Sequence, residues 1–154
     1  MSRWEAWSFH ILSVILSATG ILLFIMKYLM ENHDPFQLVN HPWQIFTQDL
    51  HILAAPGLVL ILGMMYGGHI TEKLRNRTRS NRRTGILILA SFPLMVIYGY
   101  LLQVFTHPTL SILAVVVHSV TGTVFAVTYV WHQWVTFRLW LRRRRRREIR
   151  SLAA

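Results

Sequence analysis

The chain has 154 residues, 53% of them hydrophobic, and a formal net charge of +10 from 16 Lys and Arg against 6 Asp and Glu. That charge and a mean hydropathy of +0.39 conflict in a soluble globule and agree in a small integral membrane protein with apolar spans and basic ends. The absence of cysteine excludes disulfides, iron–sulfur ligation by this chain and covalent c-type haem attachment, which needs C-x-x-C-H.

Four apolar stretches follow one another: Ala6–Met30, Leu50–Ile70, Thr84–Phe105 and Leu110–Leu141. Each holds the roughly 20 residues that a helical span needs. The chain is therefore expected to be all-α, an integral membrane four-helix bundle that forms one domain over 1–154. The first stretch exceeds a signal-peptide core, and no small-residue cleavage site follows at Tyr28-Leu29-Met30-Glu31, so it is expected to stay as an anchor. Pro56 and Pro93 fall inside the second and third stretches, where membrane helices tolerate them. The fourth is long enough to project beyond the bilayer. No internal repeat or low-complexity segment is apparent.

The connecting segments differ in charge. Glu72–Arg83 carries Lys73, Arg75, Arg77, Arg79, Arg82 and Arg83, and the C-terminal tail 142–154 carries the run Arg142 to Arg147 and Arg150. Glu31–Asp49 and Thr106–Thr109 contain no Lys or Arg. The positive-inside rule then predicts both termini and the middle loop in the cytoplasm and the other two loops outside. The arginine run is read as a topology signal in contact with anionic membrane lipid, not as a nucleic-acid site. The tryptophans cluster towards the span ends and are read mainly as interfacial anchors.

Histidines are costly inside membranes and mark function there. His10, His51, His118 and His132 all lie in apolar stretches. His118 and His132 are 14 residues apart, close to four helical turns, so they share a face and lie about 21 Å apart along the axis. The predicted topology sorts the four by depth: His51 with His118 near the outer face, and His10 with His132 near the inner one. Each pair can supply the two axial ligands of a b-type haem. His69 competes with His10 for the inner layer. His33, His41 and His107 fall in the outward loops and are read as ordinary interfacial residues.

All six acids, Glu5, Glu31, Asp34, Asp49, Glu72 and Glu148, lie at span edges or in loops. Proton pumps and many ion-coupled carriers place acids inside the bilayer; this chain does not. Gly20 and Gly122 would let a macrocycle or another helix approach the first and fourth spans. Lys27 either snorkels to the interface or pairs with a haem propionate.

Three segments carry a family likeness: F-H-I-L-S-V-I-L-S-A-T-G around His10, D-L-H-I-L-A-A-P-G around His51, and H-S-V-T-G-T-V-F-A-V-T-Y-V-W-H from His118 to His132. With four spans and ligands on the first, second and fourth, the chain resembles the cytochrome b membrane subunit of respiratory formate dehydrogenases and nickel–iron hydrogenases. The chain departs from that family in its short length, its tight loops and its own outer loop Glu31–Asp49. The resemblance implies two haem b groups with the same pairing, in a multi-pass protein of a bacterial or archaeal inner membrane. It implies electron transfer between the quinone/quinol pool and a redox partner on the outer face. That partner would be a multihaem cytochrome, iron–sulfur subunit, hydrogenase or dehydrogenase. It also implies a quinone site near the inner haem, for which His69 is the first candidate and Tyr66 and Gln133 the weaker ones. A haem-free anchor, assembly factor or small transporter, a one-haem subunit using only His51 and His118, and a third haem or metal at His69 are the alternatives.

Overall fold

A computed structural model describes residues 2–30, 39–72 and 82–152, with the backbone alone for His69, Arg82, Arg143, Arg146, Arg147 and residues 149–152. Among these residues the chain is helical, without strands. Its elements are α1 (Arg3–Tyr28), α2 (Gln44–Met65), a π-helical turn (Tyr66–Ile70), α3 (Arg82–Val104) and α4 (Pro108–Leu152). Four helical segments are long and apolar enough to cross a membrane: Arg3–Tyr28, Gln44–Gly68, which runs from α2 into the π turn, Arg83–Val104 and Pro108–Arg142. The chain forms two compact units, Met1–Asn76 and Arg77–Ala154.

In the first unit α1 packs against α2. The start of α1 is a capping box: the Ser2 hydroxyl accepts from the Glu5 N–H at 3.1 Å, and the Ser2 N–H donates to the Glu5 carboxylate at 2.7 Å. Two of the orphan donors of a helix start are thereby satisfied. This sets the beginning of α1 at Arg3, ahead of the apolar run. At the other end, the Asn40 side-chain amide donates to the carbonyls of Lys27 at 3.0 Å and Met30 at 3.2 Å. The Asn40 N–H donates to the Gln44 side chain at 3.2 Å. One residue thus ties the last turn of α1 to the first of α2, where carbonyls and N–H groups otherwise lack partners.

The second helix begins at Gln44, not Leu50. Its first turns hold the polar residues Gln44, Thr47, Gln48 and Asp49, which hydropathy assigns to a loop. Backbone hydrogen bonding does not require apolar side chains, and the Thr47 hydroxyl donates back to the Trp43 carbonyl at 2.8 Å. His51 therefore lies about two turns inside α2. At the far end, residues expected to continue the span form the π turn. Its Gly67 and Gly68 would have nothing within 4 Å of an added Cβ.

In the second unit α3 packs antiparallel to α4: Met95 lies by Gly122, Gly99 by His118 and Gly85 by His132. Phe92, Phe125 and Tyr129 form its aromatic centre, with Phe125 and Tyr129 stacked at 6.3 Å. The Ser111 hydroxyl reaches the Phe105 carbonyl at 3.0 Å and the His107 carbonyl at 3.1 Å, closing the turn between the two helices. The fourth helix has 45 residues, about 68 Å at 1.5 Å per residue, more than twice the ~30 Å hydrocarbon core. The expected tail is thus a continuation of α4 up to Leu152. Arg138 covers the Trp134 ring at 4.7 Å, and Arg144 pairs with Glu148 at 3.2 Å.

Large apolar side chains such as Leu53, Val104, Ile112 and Val127 are exposed, as expected of helices solvated by lipid. Lipid gives helices no hydrophobic drive to associate, so they pair through close approach at small residues and through interhelical hydrogen bonds. Gly20, Gly57, Gly99 and Gly122 all face side chains of the paired helix. Residues Glu31–Leu38, with His33 and Asp34, and most of the basic loop Glu72–Arg83 lie outside the described residues.

Candidate functional site

Each unit seats histidines against the paired helix. In the first, Thr19 is buried on α1. Its hydroxyl donates to the Ile15 carbonyl at 2.8 Å, with the Leu16 carbonyl at 3.3 Å. A hydroxyl has one hydrogen, so the Thr19 oxygen meets His51 Nδ1, 2.8 Å away, as an acceptor. The network therefore assigns the hydrogen of His51 to Nδ1. Gly20 makes the approach possible: a Cβ there would stand 3.3 Å from His51 Cε1.

In the second unit His118 Nδ1 lies 2.8 Å from the main-chain carbonyl of Met95. A carbonyl only accepts, so His118 carries its hydrogen on Nδ1 as well. The ring lies over the backbone of Gly99, where a Cβ would stand 3.0 Å from Cε1 and 3.1 Å from Nδ1. Farther along the same helix pair, His132 Nδ1 is 2.9 Å from the Thr84 hydroxyl. Gly85 adjoins it, with a Cβ position 3.9 Å from His132 Cε1. His118 and His132 both project from α4 towards α3, in keeping with the common face read from their spacing.

The fourth intramembrane histidine, His10, is half-buried on α1 with its ring 6.1 Å from that of Phe9. Gly20 turns its open face to His51, and Gly122 turns its own to Met95 at van der Waals distance from the sulfur, 3.7 Å. The helix-packing role of these two glycines is thus visible in the fold. Lys27 is exposed at the end of α1, with Nζ 5.7 Å from the Tyr28 ring centre, consistent with snorkelling. Tyr66 is exposed on the π turn, Gln133 is half-buried beside His132, and His69 is placed on the π turn by its backbone. In the turn before α2, His41 Nδ1 accepts the Trp43 N–H at 3.1 Å.

The donor chemistry fits axial haem ligation. A metal-bound imidazole donates its other ring N–H to a carbonyl, carboxylate or similar acceptor, which fixes tautomer and orientation. His51 and His118 have that arrangement at Nδ1, which leaves the lone pair on Nε2. Among the described residues no group of three or more His, Asp or Glu side chains gathers as a metal cluster.

Sequence reasoning missed Thr19, Thr84, Gly85, Gly99 and the Met95 carbonyl. A signal for three of them was present: the Thr-Gly dipeptide occurs at 19–20 and again at 84–85. Gly99 and the Met95 carbonyl have no such signature, since any residue supplies a carbonyl. Set against known proteins, the chain matches no family model, no curated protein and no solved structure. The resemblance to membrane cytochrome b subunits therefore rests on the residues of this chain alone.

Proposed function

We propose that the chain is a di-haem b-type membrane cytochrome subunit. It transfers electrons across the membrane between the quinone/quinol pool and a redox partner on the outer face. The observation that carries this reading is the hydrogen bonding of the imidazoles: His51 and His118 give Nδ1–H to protein oxygens within apolar helices. That is the arrangement of a ligating histidine.

In this reading His51 and His118 hold the outer haem, and His10 and His132 the inner one. The bound haems carry the electrons, while the protein supplies ligands, orientation and a low dielectric. Both termini and the loop 72–83 are cytoplasmic, set by their arginines. The outer partner docks on Glu31–Asp49 and Thr106–Thr109. For the quinone, the π turn carrying Tyr66 and His69 supports a site near the inner boundary, since π turns recur at functional positions. His69 would hydrogen-bond a quinone carbonyl or pass its proton, with Tyr66 and Gln133 as further contacts.

One observation also favours a haem-free membrane anchor. The hydrogen bonds between Thr19 and His51 and between Thr84 and His132 hold helices together, and polar pairs serve as such glue in membranes without any cofactor. Pyridine haemochrome assay of the purified protein, made with haem available, separates the two. About two haems per chain is expected for two bis-histidine centres. Folded, colourless protein would overturn the cytochrome reading in favour of the anchor.

A further inference from the structure

The same two-residue device serves two histidines. On α1, Thr19 meets His51 Nδ1 at 2.8 Å and Gly20 lets the ring edge approach the helix. On α3, Thr84 meets His132 Nδ1 at 2.9 Å and Gly85 lies against the same edge. A third Thr-Gly pair acts differently. The Thr121 hydroxyl donates to the Val117 carbonyl at 2.6 Å, and Gly122 faces Met95. The device is therefore not a general property of Thr-Gly in these helices.

We infer that Thr19–Gly20 and Thr84–Gly85 are imidazole seats: positioning residues that hold His51 and His132 in the Nδ1–H tautomer and set the basicity of Nε2. A threonine oxygen that accepts Nδ1–H pushes electron density onto the ring, as outer acceptors of ligating histidines do. A more basic Nε2 favours the ferric over the ferrous state and lowers the potential of the iron it binds. At Gly20 a Cβ would press on the His51 ring at 3.3 Å, whereas at Gly85 a Cβ would meet the His132 ring at an ordinary contact distance of 3.9 Å.

The consequence for potentials rests on the cytochrome reading; the consequence for tautomers does not. Thr19→Val removes the hydroxyl and keeps the shape. In haem-containing protein it is expected to raise the midpoint potential of one haem and shift its low-spin signals, with haem per chain unchanged. Thr84→Val is expected to do the same to the other haem. Thr19→Ser and Thr84→Ser restore the wild-type values, and Thr121→Val changes neither. Independently, nitrogen-15 spectra of haem-free, histidine-labelled protein are expected to show His51 and His132 protonated at Nδ1 and mixed tautomers in the valine variants. If Thr19→Val does not fold, Thr19→Ala gives the same comparison.

In haem-free protein, unchanged tautomers in the valine variants overturn the seats. So do unchanged potentials in a protein that binds two haems. Absence of haem with the expected tautomer change overturns the cytochrome reading and leaves the seats standing.

Discussion

The Nδ1 atom of His118 lies 2.8 Å from the main-chain carbonyl oxygen of Met95, one helix away. No substitution at 95 removes that acceptor, but its approach depends on Gly99, where a Cβ would stand 3.0 Å from the ring. Gly99→Ala is therefore expected to push the imidazole off its acceptor and destabilise the α3–α4 pair by roughly 1–3 kcal/mol, the usual cost of overpacking. Haem per chain should fall from about two towards one, as loss of one bis-histidine centre requires. Thermal unfolding in detergent and haemochrome assay measure both. Gly63→Ala is the control: its Cβ meets nothing within 4 Å, and a helical alanine gains about 0.5–1 kcal/mol over glycine. Equal tolerance of the two substitutions would contradict the packing described.

In the cytochrome reading proposed above, histidine substitutions separate the two centres. His51→Ala and His118→Ala are each expected to remove the same haem, and His132→Ala the other, leaving about one haem per chain in every case. His10→Ala should match His132→Ala if α1 supplies the inner ligand. A match from His69→Ala instead would move that ligand to the π turn. Reduced-minus-oxidised spectra of the five variants decide between them.

The Ser13 hydroxyl is fully buried in the first unit and has no hydrogen-bond partner among the described residues. A buried unsatisfied hydroxyl costs about 1–3 kcal/mol of desolvation. Ser13→Ala keeps the small volume that the α1–α2 contact needs and removes that cost. An increase in stability of roughly 1 kcal/mol is expected, read from thermal unfolding. A clear loss of stability would show that the hydroxyl has a partner, such as a bound water.

The basic end of α4 should act through its number of charges and not through its ion pair. Arg144 and Glu148 are both more than half exposed, and exposed i,i+4 pairs contribute only about 0.3–0.5 kcal/mol. Glu148→Ala is therefore expected to leave stability within that range. Replacing Arg142 to Arg147 by glutamine should weaken the orientation signal. The measurement is the fraction of chains whose C-terminal tag is protected from protease added outside the cell. An unchanged fraction would assign orientation to the middle loop alone.

Hydropathy, charge and spacing determine much of this protein without its fold. The four spans are legible because lipid demands about 20 apolar residues in a helix whatever their order. The shared face of His118 and His132 follows from helical periodicity alone. The helix ends were less legible. The capping box moves the start of α1 to Arg3, and polar turns extend α2 back to Gln44, because backbone hydrogen bonds set helix limits and hydropathy does not. Only the tertiary structure decided which atoms meet the imidazoles. Thr19, Thr84, Gly99 and the Met95 carbonyl reach their histidines from 23 to 48 residues away or, for Gly99, at a comparable remove in sequence. Such partnerships depend on the register between packed helices. In helices that are apolar on nearly every side, the hydrophobic pattern leaves that register open, and the small residues and hydrogen bonds that fix it act only once the helices touch.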